Sequence, residues 1–67
     1  MKIQLNNNPE TFPANKFTVT ELLKQKNFTF KMLIVKINGK LVRKTDYDSA
    51  EVIDGDDVMV LHLISGG

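Results

Sequence analysis

The residues of this sequence that could take part in chemistry are the last three, Ser65, Gly66 and Gly67. Glycine has no Cβ, so a Gly-Gly segment is narrow enough to enter a channel in another protein's active site. There the α-carboxylate of Gly67 could attack a nucleotide phosphate and form an acyl adenylate, which a sulfur or nitrogen nucleophile can displace. Gly67 would then be the modified group, with Ser65 and Gly66 passing through the partner's active site. A frayed chain end without function is the alternative.

The composition argues against a catalytic or metal site elsewhere in the chain. The sequence has no Cys, which excludes a thiol nucleophile, a disulfide and a thiolate metal site. The single His62 cannot hold a zinc ion alone, and no carboxylate partner is placed beside it. With 67 residues there is little apolar material for a deep catalytic cavity. We therefore expect no catalytic residue, no metal and no bound cofactor.

Charge is distributed unevenly along the sequence. The range 24–44 holds seven basic residues and no acid, whereas 46–57 holds six acids and no base. A basic stretch can meet phosphate or an acidic partner, but the net charge is only +1 and the aromatic residues do not alternate with the lysines. We therefore expect no nucleic-acid partner, and both stretches are typical of solvated faces. The acids of 54–57 lack the spacing of an EF-hand loop and indicate a turn.

The first half of the sequence predicts two strands and one helix. Alternation of Ile3 and Leu5 with polar residues indicates a half-buried strand, and the range 6–9 indicates a turn. A second strand is expected around 10–14, and Pro13 marks either an edge strand or the end of the strand. Thr18 and Glu21 have the spacing of a capping box, which predicts a helix start. The helix presents an apolar stripe and is expected to end at an asparagine in the left-handed conformation. The stripe and the final asparagine are Val19, Leu22, Leu23 and Asn27.

The second half predicts a hairpin and a central strand. Asn38-Gly39 separates two apolar runs, 32–37 and 40–44, which is the strongest short-range signal for a β-hairpin. A two-residue turn places Val35 opposite Val42 and puts the core face of the hairpin on Leu33, Val35, Ile37 and Val42. Tyr47 and Val52-Ile53 are expected to belong to an irregular crossing. The continuous apolar run 58–64 indicates a central strand.

One face of the predicted sheet is a candidate surface for binding a partner. In the last strand, His62 alternates with Val60 and Ile64, and a polar residue among apolar ones suggests that this face is the less buried. Exposed apolar surface is typical of protein interaction sites. The expected partner-binding face therefore comprises Met32, Ile34, Leu41, Val60, His62 and Ile64.

No stretch of the sequence resembles a targeting or membrane segment. The N-terminus lacks the apolar region of a signal peptide, and no apolar run approaches the ~18–20 residues of a membrane span. We expect a cytoplasmic monomer that has no membrane partner. Residues 1–64 are expected to form a single domain and residues 65–67 a flexible tail.

Five groups of residues together resemble the ThiS family, the sulfur carriers of thiamin biosynthesis. They are the 18–23 segment (TVTELL), the Ile37-Asn38-Gly39 hairpin, Leu41-Val42, the Asp54-Gly55-Asp56 turn and the Ile64-Ser65-Gly66-Gly67 tail. The resemblance covers nearly the whole chain. It implies an α+β protein with the ubiquitin-like β-grasp fold, in which a mixed sheet of four to five strands wraps one helix.

The resemblance also implies a function and a set of partners. An E1-like enzyme, ThiF, would use ATP to adenylate Gly67, and sulfur originating from a cysteine desulfurase would convert the adenylate to a thiocarboxylate. The thiocarboxylate would then donate sulfur to thiazole synthase, ThiG. The protein would be a carrier and not an enzyme. Three alternatives stay open: the small subunit of molybdopterin synthase, a ubiquitin-like protein modifier, and a passive protein-interaction module.

Overall fold

The computed structural model describes residues 1–28 and 32–62, which form seven β-strands, one α-helix and one short 3₁₀-helix. In chain order the elements are β1 (Lys2–Leu5), β2 (Asn8–Thr11), β3 (Lys16–Thr18), α1 (Val19–Gln25), β4 (Leu33–Ile37), β5 (Lys40–Val42), the 3₁₀-helix (Lys44–Asp46), β6 (Glu51–Ile53) and β7 (Asp57–His62).

The strands form two sheets. A mixed five-stranded sheet has the order β2-β1-β7-β4-β5, in which β1 and β7 run parallel and the other neighbours run antiparallel. The strands β3 and β6 form a separate antiparallel pair. One helix packed on a mixed sheet with parallel central strands is the ubiquitin-like β-grasp arrangement, as predicted.

The first hairpin turns earlier than the sequence indicated. Asn6 and Asn7 adopt positive φ angles of 51° and 67°, so these two residues make the turn. Pro9 belongs to β2 and pairs with Gln4 of β1. The strand therefore spans Asn8–Thr11 instead of residues 10–14. Strand β2 lies at the sheet edge, which is one of the two predicted possibilities, and it ends before Pro13, which is the other.

The helix begins and ends as predicted. The Glu21 amide donates to Thr18 Oγ1 at 3.1 Å and the Thr18 amide donates to Glu21 Oε1 at 2.9 Å, which completes the capping box. Asn27, with φ of 56°, follows the last turn in the left-handed conformation. Val19 and Leu22 are fully buried. Helix α1 thus brings its apolar stripe onto the sheet.

The core lies between α1 and one face of the five-stranded sheet, which we call the inner face. Its buried apolar side chains come from both sheets, the helix and the loop after β2: Ile3, Leu5, Phe12, Phe17, Val19, Leu22, Val35, Val52, Val58 and Val60. The rings of Phe12 and Phe17 meet edge to face, with centroids 5.2 Å apart.

The β4–β5 hairpin has the predicted register. Val35 pairs with Val42, and Asn38 and Gly39 form the turn with φ angles of 51° and 82°. Positive φ at both central residues is what a two-residue hairpin turn requires. Leu33, Ile37 and Val42 pack against the core as expected.

The connection between β5 and β7 is more regular than predicted. It contains the 3₁₀-helix and β6, and β6 pairs with β3, so the expected irregular crossing is wrong at Val52 and Ile53. Both strands have three residues, too few for a visible alternation, and each depends on a partner far away in sequence. The expected order with five strands therefore lacked β3 and β6.

Two expectations concern the chain as a whole. The predicted boundary between a domain of residues 1–64 and a tail of 65–67 lies outside the described residues and stays a prediction. Within residues 1–28 and 32–62, no helix is long and apolar enough to cross a membrane.

Candidate functional site

The candidate site is built around β7, the strand that leads to the C-terminus. This strand is the middle one of the five-stranded sheet, with β1 on one side and β4 on the other. Its described part ends at His62, and Ile64, Ser65, Gly66 and Gly67 lie outside the described residues. The roles expected for these four residues therefore stay predictions. The structure does show how the strand before them is held.

Strand β7 is fixed along both sides. It pairs with β4 from Ile37↔Val58 to Leu33↔His62, and with β1 through Leu5↔Val58. Two further hydrogen bonds continue the contact on the β1 side: the Asn6 amide donates to the Val58 carbonyl at 2.9 Å, and the Val60 amide donates to Asn6 Oδ1 at 2.8 Å. Strand β7, which precedes Gly67 in the chain, is thus part of the most extensively paired region of the sheet.

The first residue of β7 is also held by an asparagine side chain. The Asp57 amide donates to Asn38 Oδ1 at 2.9 Å, and the Asn38 amide donates to the Asp57 carbonyl at 2.7 Å. Asn38 Nδ2 further donates to Asp56 Oδ1 at 3.0 Å. The hairpin turn is therefore tied to the turn that begins β7.

The structure corrects the expected partner-binding face at Val60. This side chain is only 7% exposed and belongs to the core, so it cannot contribute to an exposed patch. Because alternate residues of a strand point to opposite faces, its neighbours Met59 and Leu61 lie on the other side of the sheet. His62 pairs with Leu33 and lies on the same face as Val60, yet it is exposed, so its exposure does not identify the outward face. The apolar run offered no signal that distinguishes its two faces.

The outward face of the sheet carries a group of apolar side chains that we call the outer patch. Three of its members are at least 42% exposed and two are half-buried; the members are Met32, Ile34, Leu41, Met59 and Leu61. Ile34 lies directly opposite Leu61, which places these two side chains in contact range on one face. The patch keeps three of the six residues predicted for the partner-binding face and adds Met59 and Leu61, which sequence reasoning missed.

Basic residues lie beside the outer patch. Lys36 pairs with Leu41 on one side and with Met59 on the other, so its side chain lies among the apolar ones. Arg43 is exposed just after β5. Among the described residues, ion pairs join Lys16 to Glu51 and Lys26 to Glu10, and none involves these two cations. The patch is thus apolar with basic charge at its β5 side.

The acidic range 46–57 has a structural role at its end. Asp54 Oδ1 accepts from the Lys2 amide at 2.6 Å, and Asp56 Oδ2 accepts from the Ile53 amide at 3.0 Å. These carboxylates hold the turn between β6 and β7, as the turn prediction implied. Over residues 1–28 and 32–62, no group of three or more His, Cys, Asp or Glu side chains could hold a metal ion.

Comparison with known proteins relates the chain to one family. The family model described as "ThiS family" matches residues 3–67, a range that includes the C-terminal glycines. Among curated proteins, the sulfur carrier protein ThiS of Bacillus subtilis (strain 168) is 28% identical over 65 residues. That alignment covers 97% of this chain and 98% of the Bacillus protein.

Solved structures show the same likeness. The crystal structure of the thiamine biosynthesis protein ThiS from Geobacter metallireducens superposes with a TM-score of 0.89 at 32% identity, over the whole of both chains. A solution structure of a thiamine biosynthesis protein from the same organism gives a TM-score of 0.82 at 32% identity, and 88% of that chain is covered.

Proposed function

Since the chain belongs to the ThiS family, we propose that it carries sulfur for thiamin biosynthesis on the carboxylate of Gly67. The observation that carries this proposal is the family match, which extends through residue 67 and so includes Gly66-Gly67. Strand β7 precedes these glycines in the chain.

The first step activates the carboxylate. In the active site of an E1-like enzyme, ThiF, a carboxylate oxygen of Gly67 attacks the α-phosphorus of ATP. The bond from that phosphorus to the bridging oxygen breaks and pyrophosphate leaves, which gives a Gly67 acyl adenylate. ATP is bound by ThiF, and the carrier itself holds no cofactor.

The second step loads sulfur and the third uses it. A hydrosulfide equivalent, originating from a cysteine desulfurase, attacks the acyl carbon of Gly67, and AMP leaves with the electron pair of the acyl–oxygen bond. The product is a thiocarboxylate, from which thiazole synthase, ThiG, takes the sulfur of the thiazole ring. The chain has no Cys, so the sulfur must come from outside it. The carrier acts throughout as a co-substrate, as a monomer in the cytoplasm.

The outer patch is the proposed docking surface for the adenylating enzyme. Its apolar side chains are exposed on a rigid sheet whose central strand leads to Gly67, so docking there would set the distance over which the tail must reach. Solvent-exposed apolar area of this kind is what an interface buries. The basic side of the patch suits an acidic surface on the partner.

The test is ATP–pyrophosphate exchange, catalysed by the adenylating enzyme of the same organism and dependent on added carrier. Deleting Gly67, or adding one residue after it, should abolish the exchange while leaving the circular dichroism spectrum unchanged. Ile53→Ala is the control, because Ile53 lies on β6 in the two-stranded sheet and belongs to neither the tail nor the outer patch, so its loss should leave the exchange intact. Exchange that survives the deletion, or that is absent with the unaltered carrier, would contradict the proposal.

The pathway is tested separately by complementation. A bacterial strain that lacks its own sulfur carrier for thiamin should grow without thiamin when it produces this protein. Growth should again depend on Gly67. Failure to restore growth, despite thiocarboxylate formation in the same cells, would place the carrier in another pathway.

A further inference from the structure

We propose that the side chain of Asn6 is a positioning residue, which holds the C-terminal end of β7 and so directs the segment ending in Gly67 toward the adenylating enzyme. The inference rests on the proposed function and adds to it a residue outside both the tail and the outer patch. It is carried by the hydrogen bonds that Asn6 makes with β7.

The parallel pairing of β1 and β7 ends where β1 turns away. Leu5 is the last residue of β1 and pairs with Val58. The next two residues, Asn6 and Asn7, adopt left-handed φ angles of 51° and 67° and lead the chain into β2. The backbone of β1 therefore stops offering hydrogen-bond partners while β7 continues to His62.

The Asn6 side chain supplies the partner that the backbone no longer offers. The backbone N–H of Asn6 donates to the Val58 carbonyl at 2.9 Å, and the side-chain Oδ1 accepts from the Val60 amide at 2.8 Å. The side-chain oxygen thus takes the place that the carbonyl of a continuing strand would occupy. It extends the contact on this side of β7 to Val60, two residues before the described end of the strand.

Few residue types can do this. The position needs a residue that tolerates positive φ and also carries an acceptor oxygen on a short side chain, which asparagine and aspartate provide. Glycine tolerates the backbone conformation but has no acceptor. Asn6→Gly therefore removes the side-chain bond without imposing a new backbone strain, and Asn6→Asp keeps it.

The chain contains a matched control at the other end of the same strand. Asn38 also has φ of 51°, and its Oδ1 accepts from the Asp57 amide at 2.9 Å. Asn38→Gly removes this bond at the start of β7, far along the strand from Gly67, together with the 3.0 Å bond from Asn38 Nδ2 to Asp56 Oδ1, so its cost in stability should be at least as large. A loss that is merely one of stability should appear in both variants, whereas a loss of positioning should appear only in Asn6→Gly.

The first measurement is amide hydrogen exchange on the carrier alone. Losing one hydrogen bond should raise the exchange rate of the Val60 amide about three- to tenfold in Asn6→Gly, relative to amides of the core. Asn6→Asp should restore the wild-type rate. Asn38→Gly should leave Val60 unchanged and raise the rate at Asp57. An unchanged Val60 rate in Asn6→Gly would overturn the proposal.

The second measurement is the kinetics of ATP–pyrophosphate exchange with the same variants. Asn6→Gly should lower kcat about three- to tenfold and change the KM for the carrier by less than about twofold. The reason is that the outer patch is retained while the Gly67 carboxylate is less well placed. Asn38→Gly and Asn6→Asp should match the wild type. Equal kcat values for Asn6→Gly and Asn38→Gly would overturn the functional part of the proposal. Absence of exchange with the wild-type carrier would instead contradict the proposed function, and the amide measurement does not depend on it.

Discussion

Replacing Leu41 by alanine tests whether the outer patch is the surface that docks on the adenylating enzyme. Leu41 lies on β5 and is 62% exposed, more than any other large apolar side chain in the described part of the chain. We expect Leu41→Ala to weaken binding to that enzyme while leaving the fold of the carrier nearly unchanged.

The expected magnitude follows from the exposed part of the side chain. The substitution removes three carbon atoms, each worth about 0.8 kcal/mol when it is fully buried. If docking buries the 62% that is exposed in the free carrier, the lost interaction is about 1.5 kcal/mol, or roughly a tenfold rise in Kd. The remaining part, already buried by folding, limits the loss of free energy of unfolding to about 1 kcal/mol.

The chain provides a control of the same size and similar exposure. Ile53 is 52% exposed and also loses three carbons on conversion to alanine, but it lies on β6 in the two-stranded sheet. Titration calorimetry of each carrier variant into the adenylating enzyme gives the two Kd values directly. Circular dichroism melts of the free variants measure the accompanying change in stability.

The comparison between the two variants decides the question. Leu41→Ala should raise Kd about tenfold, whereas Ile53→Ala should change it by less than about twofold. Equal weakening by both, or an unchanged Kd for Leu41→Ala, would refute the assignment of the docking surface.

Three predictions concern the fold. Val60→Ala removes two buried carbons and leaves a cavity, so the free energy of unfolding should fall by about 2–3 kcal/mol and Tm by roughly 10–20 °C; a drop of a few degrees in a thermal melt would speak against a core position. Thr18→Ala removes the helix cap and should cost about 1 kcal/mol in urea unfolding, and no measurable cost would show that the capping box is unimportant. Because Asn27 has a left-handed backbone, Asn27→Ala should lower the free energy of unfolding by about 1 kcal/mol, whereas Asn27→Gly should leave it unchanged. A glycine variant less stable than the alanine variant in urea unfolding would contradict this.

Elements whose signals are local could be read from the sequence. The capping box of Thr18 and Glu21, the stop at Asn27 and the Asn38-Gly39 turn each depend on residues close together in the chain, and each is confirmed. A two-residue hairpin loop also fixes its own register, which explains why Val35 opposite Val42 could be predicted.

Elements that form by pairing with a distant part of the chain could not be predicted from the sequence in the same way. Strands β3 and β6 are three residues long and exist because they pair with each other across the chain. In β7 both alternating sets are apolar, so the buried set is decided by the register with β4, which places Val60 opposite Val35. Without that register, the polar His62 at the strand's end suggested the wrong face.

The same distinction applies to the candidate site, where some residues could be predicted from the sequence and others needed the structure. The role of Gly67 and its neighbours could be predicted because a Gly-Gly segment is narrow enough to enter a partner's active site and ends in a carboxylate that can be activated. The resemblance to the ThiS family added the sulfur chemistry. Met59, Leu61 and Asn6 became visible only when the sheet showed which residues face outward and which side chain bonds to β7.

The most direct test of the central claim is the intact mass of the carrier after incubation with the adenylating enzyme, ATP and a sulfur source. The mass should rise by the difference between a sulfur and an oxygen atom, and fragmentation should assign the increment to Gly67. The carrier that lacks Gly67 should keep its original mass. An unchanged mass of the full chain, or a sulfur increment at any other residue, would contradict the proposal that Gly67 carries the sulfur.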